Sequence, residues 1–333
     1  VAASILDDWL NWQIAVTLAF VFVIGVLGIF TTSTYYLQIM VLTAIYAAIG
    51  VSWTISGGFG GMLLLGYISF FGVGAYVNGV LFTKFGVSPW LCLPIAAAVT
   101  AALALAIAAM TLRFGLSEDY FAMFTVALSQ VLKFILLNWD YVGRATGIYL
   151  TIVRDDVWNM AFVERRPYLY IGLLLLLLTA VVSYGVQRSR LGFYLAAVRQ
   201  NDQAAEALGI DSARIKTAAI VISGALAGMI GAFYCQFTTF IDPKQVFSLA
   251  TNFEMLLGPV LGGRLTIIGP ILGAAAIKPI QDLLRGWLGG QADALYLVIY
   301  GLVLIIGCLT LPRGIAAYIE AWHRRRYRGH KSE

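Results

Sequence analysis

Ionisable and amide side chains are rare inside the apolar runs of this chain, so each one is a candidate for chemistry. Gln130 and Lys133 stand at i,i+3 on one run, with Asn138 at its end. Asn252 and Glu254 open a second run. Lys278 and Asp282 stand at i,i+4 on a third, followed by Arg285. Such groups can line a path for a solute or ion, pair between helices, or snorkel to an interface. We therefore take Gln130, Lys133, Asn252 and Glu254 as candidate path residues, and expect Lys278 to pair with Asp282. Hydrolytic chemistry is not encoded. The dipeptide Gly-Lys never occurs, so the G-x-x-x-x-G-K-[ST] phosphate loop is missing and the chain has no nucleotide site of that kind. There is no H-E-x-x-H, and both histidines, His323 and His330, lie in the tail. Cys92, Cys235 and Cys308 sit in apolar runs without metal-ligand spacing and read as small buried hydrophobes. Ser69 and Ser129 have no base beside them in sequence. No cofactor is expected on this chain.

The elements that must position these groups follow from composition. Of 333 residues, 60% are apolar and 12% charged. A soluble domain carries roughly 45–50% apolar and about 25% charged residues. We expect one all-α integral membrane domain, 1–333, a polytopic helical bundle of about ten segments. A spanning helix takes about 20 apolar residues, and runs near 13–30, 37–56, 61–82, 90–112, 120–137, 168–186, 214–236 and 292–311 qualify. Residues 250–287 are apolar but interrupted, and read as a short segment near 251–262 and a longer one near 268–285. Asp7 and Asp8 carry the wrong charge for a signal peptide, and the true N-terminus is expected upstream of Val1.

Lys and Arg placement orients the bundle. Arg188, Arg190, Arg199, Arg214 and Lys216 flank a polar stretch, 187–213, which is expected in the cytoplasm, as is the basic tail 313–333. We read that tail as a membrane anchor rather than a nucleic-acid patch. Parity then puts both termini inside, with Arg113 also inside. The loop 138–167, which carries Arg144, Arg154, Arg165 and Arg166 among acids, falls outside.

Two glycine-rich stretches, 56–76 and 257–275, stand in the two halves. Gly57, Gly58, Gly60 and Gly61 in the first, and Gly262 and Gly263 in the second, weaken a helix ladder. Unwound backbone is tolerated at membrane depth only inside protein or beside a water-filled cavity. Broken segments in both halves are the pattern of transporters with a midplane path.

The polar stretch "RQNDQAAEALGID", Arg199 to Asp211, has the signals of a short capped helix. Asn201 and Asp202 suit an N-cap, Gln203 to Leu208 favour helix, and Gly209 suits a left-handed C-terminal position with Ile210 packing back on Ala205. Ala204, Ala205 and Leu208 are expected to form one small apolar face, with Glu206 pointing elsewhere.

Gln203-Ala204-Ala205-x-x-x-Gly209 resembles the E-A-A-x-x-x-G loop of ABC importer permeases. The wider stretch 197–234 resembles permeases of the branched-chain amino acid uptake family, as do 70–76 ("FFGVGAY"), 120–140 and 252–275, and the likeness runs over roughly 40–312. It is greatest to the second, larger-type permease of the pair in such systems. This resemblance implies a bacterial inner-membrane subunit working with a second permease, two ATPases that carry ATP and Mg²⁺, and a periplasmic binding protein. It implies that Ala204, Ala205, Glu206 and Gly209 dock in an ATPase groove, with Arg199 anchoring them, and it matches Glu254 to a family acidic position. Two departures stand out. Gln203 replaces the usual Glu, and Met62 to Leu65 replace a polar Gln of the "YAGQ-x-SLG" pattern. If that Gln lines the path, cargo here differs from leucine, isoleucine and valine. Urea or a small organic acid is then an alternative within the family. An ion-coupled secondary transporter using Glu254, or a channel-like subunit, are alternatives outside it.

Overall fold

A computed structural model describes residues 2–113, 118–150, 155–288, 301–302 and 314–316, with side chains of 2–11, 112–113, 285 and 287–288 left out. Arg154, Cys308, and all but a few residues of the expected span 292–311 and of the tail 313–333 lie outside the described residues, as do the side chains of Asp7, Asp8, Arg113 and Arg285.

The chain forms α1 (Ala2–Phe30), α2 (Thr34–Trp53), a π-helical turn (Thr54–Phe59), α3 (Ile68–Phe85), α4 (Pro89–Arg113) and α5 (Glu118–Asn138). A loop with β1 (Ile148–Tyr149) leads to α6 (Arg166–Arg188), α7 (Arg190–Gln200), α8 (Asp202–Ala207) and α9 (Ser212–Thr238). Then come β2 (Phe240–Ile241), α10 (Pro243–Val246), α11 (Leu249–Gly262) and α12 (Ile268–Leu288). β1 and β2 pair antiparallel, Ile148 opposite Ile241.

Seven helices are long and apolar enough to cross a membrane: Trp12–Phe30, Thr34–Phe59, Ile68–Phe85, Pro89–Thr111, Glu118–Asn138, Arg166–Arg188 and Ser212–Thr238. Against the expectation of about ten, seven such helices stand among the described residues. α11 has 14 residues. At 1.5 Å each it reaches about 21 Å, short of the roughly 30 Å hydrocarbon core. α12 has the length but carries Lys278, Asp282 and Arg285. The expected segment at 61–82 also starts late, at Ile68, because 60–67 is unwound.

Two packed groups make the core. α9 lies against α3 and α4, and α2 against α6, α11 and α12. Glycines set the close approach in the first group: a Cβ on Gly231 would overlap the Phe71 carbonyl, and one on Gly224 would stand 2.9 Å from the Ala104 Cβ. Small residues take this place because helices in lipid associate through backbone proximity rather than hydrophobic burial. Several buried threonine hydroxyls bond to the helical backbone one turn earlier. Thr43, Thr54, Thr100 and Thr111 each donate to the carbonyl four residues earlier, at 2.7–3.0 Å. Cys92 and Cys235 are buried.

The bundle has two distinct ends. At one, Ser88 Oγ and Trp90 Nε1 donate to the carbonyls of Trp158 and Val157, fastening the α3–α4 turn to the loop after α5. At the other lie α7, α8 and both helix breaks. Gln13 of α1 reaches this end too, its Oε1 accepting from Ile267 N at 3.0 Å.

Candidate functional site where the polar island meets two helix breaks

The island is a capped helix of six residues, α8. Asn201 Oδ1 accepts from Ala204 N at 3.0 Å, closing the N-terminus. At the other end Ile210 N donates to Ala205 O at 3.1 Å and Gly209 N to Glu206 O at 2.9 Å. Gly209 has φ +85°, the left-handed value this closure requires. Lys216 of α9 pairs with Asp202, and Ser212 Oγ donates to Glu206. These ties fix a helix too short to be stable alone. Its outer surface differs from expectation in one respect. Ala205 is buried, 3% exposed, against the body of the protein, whereas Leu208 is 82% exposed. Ala204, Glu206 and Gly209 are also exposed. The expected face of Ala204, Ala205 and Leu208 is therefore split: Ala205 seats the island, and Leu208 with Ala204 is presented outward.

Arg199 closes the gap between island and bundle. It stands in the last turn of α7, and its Nη1 donates to Gly58 O at 3.1 Å. Gly58 lies near the end of the π-helical turn, where helix carbonyls lack intrahelical partners. The Arg199 stem runs over Gly61, where φ is +71° and a Cβ would stand 2.6 Å from Arg199 Cγ. Burial, and then the neighbouring charge of Arg264, lower the Arg199 pKa from its ordinary value. A Cβ on Gly58 would overlap the Arg264 carbonyl. So the first break, the second break and the island's lead-in helix meet at one point.

From there the chain runs unwound to Ile68, and side chains satisfy its backbone. Trp53 Nε1 donates to Leu64 O at 3.1 Å, and Gly66 N to Thr125 Oγ1 at 3.1 Å. Asn252 of α11 does both jobs of an amide: Oδ1 accepts from Ile68 N at 3.0 Å, and Nδ2 donates to Leu65 O. It is buried and both its ends are committed to backbone, which makes it a brace of the unwound segment rather than a free path group. Met62 and Leu64 are buried in this segment, so apolar side chains fill the region where the family pattern has a Gln.

Near the middle of α2, Tyr46 OH donates to Glu254 Oε2 at 3.4 Å. Lys278 Nζ lies 4.6 Å from the Tyr46 ring centroid, 3.2 Å from Asp282 and 3.4 Å from Gln281 Oε1. Two acids, one ammonium, a phenol and an amide thus share a cluster between α2, α11 and α12, beside Met255, Ala274 and Ile277. Lys278 and Asp282 form the expected pair. On α5, Gln130 Nε2 donates to Ser129 Oγ at 3.2 Å, and Lys133 is half-buried with no ion-pair partner among the described residues. Gln130 and Lys133 are not among the residues that form the Glu254 cluster. Sequence reasoning missed Tyr46, Trp53 and Thr125. Their partners lie 11 to 208 positions away, and no local pattern marks them.

A model of the family described as "Branched-chain amino acid transport system / permease component" matches residues 35–307. The high-affinity branched-chain amino acid transport system permease protein LivM of Salmonella typhimurium is 28% identical over 316 residues, 88% of this chain and 72% of that protein. LivM of Escherichia coli shows the same identity and coverage. The nucleoside ABC transporter permease protein NupC of Lactococcus lactis is 25% identical over 84% of this chain and 94% of its own length. No solved structure matches the chain.

Proposed function

Because the chain belongs to the family of branched-chain amino acid transport permeases, we propose that it forms half of the translocation path of an ATP-driven importer. Its cargo is a branched-chain or related amino acid. A second permease completes the path, two ATPase subunits bind ATP and Mg²⁺, and a periplasmic binding protein delivers the solute. The setting is the bacterial inner membrane, with about ten crossings and both termini in the cytoplasm. On this reading 138–167 faces outside, and 187–213 and the tail 313–333 face the ATPases. The observation that supports it most is the capped island: Leu208 and Ala204 stand outward on a helix whose lead-in residue Arg199 is hydrogen-bonded to the first helix break. A chain with no phosphate-loop sequence needs such a contact, because work must enter from elsewhere. ATP-driven closure of the partners displaces the island, and the broken helices open the path alternately to each side.

Co-purification with the ATPase subunits and ATP-driven uptake in proteoliposomes test this. Leu208→Asp is the informative variant, since Ala205 is buried and its replacement disturbs the island's seating. The wild-type complex imports leucine with ATP, and Leu208→Asp weakens ATPase capture about tenfold, as loss of an exposed apolar anchor does. Uptake by the chain alone under an ion gradient, with no ATPase present, would establish the secondary-transporter reading instead. A cargo panel that includes urea, organic acids and nucleosides decides the substrate class.

A further inference from the structure

Arg199 is placed to do more than anchor a docking loop. Its donor reaches a carbonyl 141 residues away in sequence, on the first break. Its aliphatic stem occupies the space over Gly61 that any side chain there would fill. The same Gly58 that accepts its hydrogen bond abuts the Arg264 carbonyl within the second break. Two residues after Arg199 the island begins, with Asn201 as its cap. A guanidinium is suited to this role: it stays charged and keeps several donors in a rigid fork, and a charge-assisted bond to an orphan carbonyl is stronger than a neutral one. We propose that Arg199 is the transmission residue of this permease, the tie through which displacement of α8 pulls the Gly57–Gly61 break against the second break. This rests on the importer reading above and adds the physical link within it. Arg199 acts through Gly58 and touches no cargo, so it is a positioning residue.

The experiment uses the full complex with its second permease, ATPases and binding protein in proteoliposomes, and reads leucine taken up per ATP hydrolysed. Arg199→Met keeps a stem over Gly61 and removes the donor. Arg199→Lys keeps a cation with a single ammonium. The expected result is that Arg199→Met still co-purifies with the ATPases while uptake per ATP falls about tenfold, with Arg199→Lys about threefold below wild type. A wild-type ratio in Arg199→Met overturns the proposal. Loss of ATPase capture by Arg199→Met also overturns it, because Arg199 would then belong to the dock itself. If Arg199→Met is not recovered folded, Arg199→Lys decides, and an unchanged ratio there overturns the proposal. Failure of the wild-type complex to take up leucine with ATP sinks the importer reading, which separates that failure from this one.

Discussion

Both helix breaks bring glycine against backbone: Gly58 on the Arg264 carbonyl and Gly66 on the Thr125 carbonyl in the first, Gly262 on the Gly269 carbonyl and Gly273 on the Gly258 carbonyl in the second. They differ in how many side chains from other helices hold them. Among the described residues Gln13 alone reaches the second, through Ile267 N. The turn is short, and α12 resumes at Ile268. In the first, the chain unwinds from Gly60 to Tyr67, side chains from α2, α5 and α11 meet its backbone, and Arg199 of α7 meets the Gly58 carbonyl just before it. A short turn tied mainly within its own chain has few other partners to find, whereas a longer segment held by side chains of several helices can exchange them. On the importer reading proposed above, the first break is the one expected to move and the second the surface it moves against.

The sharpest way to break this contrast is to put a methyl group into the rigid turn. Gly262→Ala must displace backbone, and is expected to cost about 4 kcal/mol or more. It should abolish recovery of folded monomer on size exclusion in detergent. Asn252→Leu probes the first break with a side chain of similar volume. It leaves the Ile68 N–H and the Leu65 carbonyl buried without partners, at about 1–3 kcal/mol each. A clear drop in Tm with the protein still recovered would fit a side-chain brace. A Tm equal to wild type would show that the unwound segment does not depend on it. The smallest effect is expected at the island, where Asn201→Ala removes one cap bond worth about 1 kcal/mol. Global Tm should hardly change, while amide exchange at 202–208 speeds up.

The same contrast explains what was legible in the sequence. The caps of the island were, because Asn201 and Gly209 act on backbone within a few positions of themselves. The second break was legible in place, between segments read near 251–262 and 268–285, while the glycines marked only the start of the first, whose unwinding runs on to Tyr67 through residues read as part of a span. How each break is held was not. Arg199 and Gly58 are 141 positions apart, and Asn252 and Ile68 are 184 apart. The run 61–82 read as one span because hydropathy counts apolar length and takes no account of where helix begins. Met62 to Leu65 are apolar and unwound, and Trp53 and Asn252 supply the hydrogen bonds that make this tolerable. The burial of Ala205 was equally hidden. On a helix this short, with small residues on most sides, periodicity does not choose the inward face.

Hydrogen exchange in the importer complex proposed above, followed at the two breaks as its proposed ATPase subunits go from nucleotide-free to ATP-bound, tests the central claim most directly. The account predicts that exchange at 57–66 changes with nucleotide while exchange at 258–267 stays constant. Equal change at both breaks, or none at 57–66, would contradict it.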